Sequence, residues 1–173
     1  MLIALILVVF PFCMVFAALS DMLSMTIANR VALLLAATFL LVAPLTGMPW
    51  EAYGWHVAAG ATVLLFTFGL FALGGMGGGD AKLMSATALY MGFGFPLVEY
   101  LVVSAFLGGL LTLAILAYRR SPLSAYTGHN LFLRHFADHQ TGIPYGIALG
   151  VGGLIVYPQT PLMSWAIATL ASR

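Results

Sequence analysis

Two aspartates, Asp21 and Asp80, stand out because almost nothing around them is charged. Asp80 closes a glycine run, Gly74-Gly75-Met76-Gly77-Gly78-Gly79, and is followed by Ala81 and Lys82. An ionisable residue at the edge of a lipid-soluble segment is costly, and is a functional candidate by default. Two carboxyls brought close together do not both ionise easily. Sharing one proton, such a pair can activate a water while protonating a leaving amide. That is aspartic-protease chemistry, which composition and spacing permit without showing that the two residues meet. The glycines fit it, because a glycine loop at a helix start lets an extended peptide lie against the backbone. Taken alone, the same run reads as close helix packing or a turn, and an Asp at a helix start is also a good cap.

The elements that must position these residues follow from composition. The 173 residues are 62% hydrophobic and 6% charged, with a mean hydropathy of +1.07, whereas soluble domains are about 25% charged. This describes an all-α polytopic membrane protein with about six transmembrane helices of roughly 20 residues each. It forms one membrane-embedded domain over residues 1–173. Spans are expected near 2–20, 31–42, 57–73, 80–93, 97–118 and 143–157, with a turn over 21–30 between the first two. Residues 119–142 form a polar loop, and 158–173, after Pro158 and Pro161, a terminal half-helix at the interface. With no Lys or Arg before Arg30, residues 1–20 read as a retained span and not as a cleaved signal. The net charge of +1 implies no nucleic-acid partner. The single Cys13 excludes a Cys-x-x-Cys site and an internal disulfide.

Alternating the spans puts Arg30, Lys82, Arg119, Arg120 and Arg134 on one side, while the opposite connections carry no Lys or Arg. The positive-inside rule makes that side cytoplasmic and places the N-terminus outside. Asp21 then ends the first span and Asp80 opens the fourth, both at the cytoplasmic membrane edge.

Gly77-Gly78-Gly79-Asp80-Ala81-Lys82-Leu83 resembles the Gly-x-Gly-Asp-x-Lys-Leu motif of type IV prepilin peptidases, which are membrane aspartic proteases. Ser20-Asp21 followed by Ile27-Ala28-Asn29-Arg30 is similar to the family's first-aspartate motif, with Ala28 where Pro is usual. Ile143-Pro144-Tyr145-Gly146 resembles the motif that opens its last span. The resemblance covers nearly the whole chain. It implies catalysis by Asp21 and Asp80, a loop shaped by Gly77 and Gly79, and support from Lys82, which is also a natural positive-inside anchor. It implies no cofactor and no metal. The substrate class it implies is a prepilin or pseudopilin, cut at the cytoplasmic face of the inner membrane, usually after a Gly. The chain has no room for the cytoplasmic domain and paired cysteines of the bifunctional enzymes, so no N-methylation is expected. The short form resembles the peptidases of tight-adherence (Flp-type) pilus systems. Oligomeric state is not legible.

The competing reading is a small transporter or pilus-assembly subunit whose intramembrane acids handle protons or ions. His135 and His139 are spaced for one helix face, but without a His-Glu-x-x-His arrangement they read better as part of an amphipathic juxtamembrane segment. A phosphate loop is excluded, since Asp80 follows the last glycine where a Lys is required.

Overall fold

Each apolar run becomes a helix. In order these are α1 (Leu2–Ser24), α2 (Asn29–Leu45), α3 (Trp50–Ala72), α4 (Gly78–Met91), α5 (Phe95–Arg120), α6 (Gly146–Val156) and α7 (Pro161–Ala171), with a 3-10 turn at Tyr157–Gln159 between the last two. The computed structural model describes residues 1–122, 136, 138 and 142–172, and among these there is no strand. His129, Arg134, His135 and His139 lie outside the described residues.

α4 organises the bundle. It packs most extensively on α3, and also on α2, α5, α6 and α7. Every residue from Leu83 to Met91 is buried. A helix enclosed on all sides meets protein and not lipid, so α4 tolerates Ser85 and Thr87, whose hydroxyls donate to the carbonyls of Gly60 and Leu83. The long helices α1, α3 and α5 instead expose Phe12, Leu65, Phe66, Val102 and Leu113. An apolar exterior over a hydrogen-bonded helical interior is what a bilayer demands of a fold.

By length and composition, α1, α3 and α5 each suffice to cross a membrane; α6 and α7 do so only together, bent by 50°. α2 has 17 residues and α4 only 14. Among the described residues, three or four helices are thus long enough to span by themselves or as a bent pair, where six spans were expected: α2 and the shielded α4 are short, and α6 passes the test only together with the terminal segment, as one broken span.

Away from the aspartates, Phe10 stacks on Tyr157 at 4.0 Å and packs on Tyr90 at 4.7 Å. Tyr90 donates to the Leu35 carbonyl and Tyr157 to that of Ile6, tying α1, α2, α4 and the 3-10 turn together. α6 approaches α1 through glycine. A Cβ on Gly150 would lie 2.7 Å from the Met14 carbonyl oxygen, whereas one on Gly109 would meet nothing within 4 Å. Gly150→Val is therefore expected to destabilise the fold by about 1–3 kcal/mol through overpacking. Gly109→Ala should be neutral to within about 0.5 kcal/mol. Thermal unfolding in detergent checks both.

Candidate active site

The Asp21 end of α1 is built from local hydrogen bonds. Ser24 Oγ donates to the Ser20 carbonyl, and Ser20 Oγ donates forward to the Thr26 carbonyl. Met25 takes a left-handed conformation (φ 53°), and its N–H closes on the Asp21 carbonyl at 2.9 Å. This is the usual way a helix stops. The expected turn over 21–30 is thus shorter: α1 continues through Asp21 to Ser24, and α2 begins at Asn29. Asp21 sits one turn inside the helix and is buried.

The glycine run also divides differently from its expected role as one loop. α3 ends at Ala72, Gly74 takes a positive φ of 75°, and Gly77 is the N-cap of α4. Gly78 and Gly79 already belong to the first helical turn, and Asp80 is the third helical residue. The Asp80 carboxyl folds back toward Gly77, where an added Cβ would stand 2.8 Å from Oδ2. Gly79 packs on the α1–α2 turn, with a Cβ there 3.1 Å from that of Ile27. Gly77 thus makes room for a carboxyl, and Gly79 lets α4 seat against the turn that follows Asp21.

Those two seatings bring the aspartates together. Asp21, Met25, Thr26, Ile27, Gly77, Gly78, Gly79 and Asp80 line one cavity of about 270 Å³. Asp21 and Asp80 are close enough to interact electrostatically. The Gly146 N–H, at the start of α6 and 125 positions away in sequence, donates to Asp21 Oδ2 at 2.7 Å. The first N–H groups of a helix have no partner within it, and they favour negative charge. Asp21 therefore satisfies the α6 terminus, as Asp80 lies in the first turn of α4.

Residues 8–116 match the type IV leader peptidase family. The chain belongs to this family. No curated protein and no solved structure matched the chain. Both aspartates lie within the matched stretch, while Gly146 lies beyond it.

Lys82 stands apart from the pair. Its ammonium donates to Asn29 Oδ1 at 2.8 Å, linking the first turns of α4 and α2, and it does not line the cavity. Lys82→Met should lower activity about 3- to 10-fold, the weight of one solvent-exposed hydrogen bond of about 1 kcal/mol. Asn29→Ala should lower it similarly, and the double variant should be no worse than either single one, as assayed by leader release. Arg119 anchors the segment before α6, its guanidinium donating to the carbonyls of Phe136 and Gly142.

Sequence reasoning named Asp21, Asp80, Gly77, Gly79 and Lys82. The structure gathers the first four around one cavity and leaves Lys82 beside it. Gly146 and Ile27 were missed as positioning residues. Each appears in a quoted motif, but no spacing in the sequence reveals that Gly146 reaches Asp21.

Proposed function

We propose that this peptidase is an aspartic endopeptidase that removes the leader from prepilins or pseudopilins at the cytoplasmic face of the inner membrane. The observation that carries this is the shared cavity of Asp21 and Asp80, floored by glycine. With one carboxyl ionised and the other protonated, the ionised one takes a proton from water as its oxygen attacks the scissile carbonyl carbon. The protonated one donates to the carbonyl oxygen. The C–N bond of the tetrahedral intermediate then breaks as the first carboxyl gives the water's proton to the departing amine, and the second takes a proton back from a hydroxyl of the intermediate as the carbonyl re-forms, restoring the pair. The Gly146 N–H holds one oxygen of Asp21 through these steps.

The cytoplasmic assignment rests on charge. The Lys82–Asn29 and Arg119–Gly142 hydrogen bonds join the helix ends that also carry the aspartates, so Arg30, Lys82, Arg119 and Arg120 cluster at that end. A substrate whose basic leader stays in the cytoplasm while its apolar segment enters the bilayer presents its cleavage site there. Purified protein in detergent should release the leader from a prepilin, with the new N-terminus read by sequencing. Cleavage should be unaffected by a chelator, and the product should remain unmethylated when a methyl donor is supplied. Uncut prepilin under these conditions would refute the reading.

A further inference from the structure

We propose that the groove between α2, α3 and α4 receives the apolar helix that follows the scissile bond of the substrate; this rests on the peptidase reading above. The groove has a volume of about 580 Å³ and follows α2 from Asn29 to Leu40, a length of about 16 Å at helical rise. It exists because α2 and α3 each pack on α4 and scarcely touch one another. They meet at the end remote from the aspartates, where Tyr53 stacks on Phe39 and donates to the Leu40 carbonyl.

The polar end of the wedge lies beside the catalytic cavity: Ile27 and Asp80 line that cavity, and Asn29 and Lys82, each two positions further along the chain, line the groove. Small residues, among them Ala32, Ala36, Ala61 and Ala86, are interspersed along it with larger ones such as Leu33 and Leu64. Small side chains let a second helix approach closely within a bilayer, where packing and not hydrophobicity drives association. A chain cut between Asp21 and Asp80 and continuing into the membrane as a helix finds there a slot with a polar mouth and an apolar length. The apolar groove between α5 and α6, lined by Leu107, Ala114, Ile147 and Val151, has about half the volume at 290 Å³ and no polar mouth.

The test uses two substrates: full-length prepilin in vesicles, and a soluble peptide ending a few residues beyond the scissile bond. Ala61→Trp should raise KM for full-length prepilin at least tenfold and leave kcat/KM for the peptide within twofold. Ala114→Trp should change neither. An unchanged KM for full-length prepilin would mean that a lipid acyl chain is the occupant, and equal losses on both substrates would mean that the groove acts only through the catalytic site; either result overturns the proposal. A photoreactive residue at position 61 in an Asp21→Asn background supplies a readout free of catalysis. It should capture full-length prepilin, and a crosslink no stronger than that from position 114 also overturns the proposal. Capture at position 61 together with no cleavage by the wild type would sink the peptidase reading and retain the groove.

Discussion

Asp21→Asn and Asp80→Asn should each leave full-length prepilin uncut while the variant protein accumulates in the membrane at the wild-type level. The expected loss in kcat is about 10²–10⁴-fold for each, the usual weight of a general acid or base. Asn keeps the shape of Asp and can still accept the Gly146 N–H through its amide oxygen, so Asp21→Asn preserves the hydrogen bond to α6. What it removes is the capacity to exchange a proton. The two variants should fail alike, because neither a lone base nor a lone acid completes the reaction. Normal processing by either variant would remove the dyad. The transporter reading expects a different pattern, with processing intact and an ion or proton flux lost.

The second large effect concerns a residue with no reactive group. A Cβ on Gly146 would lie 2.8 Å from Asp21 Oδ2, 2.8 Å from Ile27 Cδ1 and 2.9 Å from Asp21 Cβ. Asp21 Cβ is fixed to the α1 backbone and cannot withdraw cheaply, so the carboxyl beyond it must give way. Gly146→Ala should therefore turn the Asp21 carboxyl away from Asp80, although the N–H itself remains. Displacement of a reacting group by about 1 Å can cost about 10²-fold in rate, and that is the expected fall in kcat. KM should change little, because the groove and Lys82 are untouched. Gly109→Ala, with open space around its Cβ, is the matched control. Steady-state kinetics on prepilin, with thermal unfolding alongside, separates displacement of the catalytic group from a general loss of fold.

The fold and the site were legible in the sequence only in part. The long spans were readable because α1, α3 and α5 are apolar enough to declare themselves. α4 was harder, since burial inside the bundle frees it from the composition that lipid imposes. Its shortness and the course of α6 into α7 depend on packing partners that no local pattern encodes. The aspartates were legible because charge is rare here and each sits in a recognisable motif. The seating of Asp21 inside α1 was not, because it depends on the Ser20, Ser24 and Met25 turn carrying the helix one turn further than hydropathy indicated. Gly146 lay beyond reach for a similar reason: its N–H finds Asp21 only once Gly150 has let α6 close on α1.

The most direct measurement is the binding of a leader peptide in which the scissile amide is replaced by a hydroxyl-bearing tetrahedral isostere. A site that stabilises the tetrahedral intermediate through Asp21 and Asp80 should bind it at least about 10²-fold more tightly than the corresponding uncleaved amide peptide. Asp21→Asn and Asp80→Asn should each abolish that difference while leaving amide-peptide affinity nearly intact. An isostere that binds no more tightly than the amide, or equally well to the wild type and both variants, would contradict a catalytic pair at this cavity.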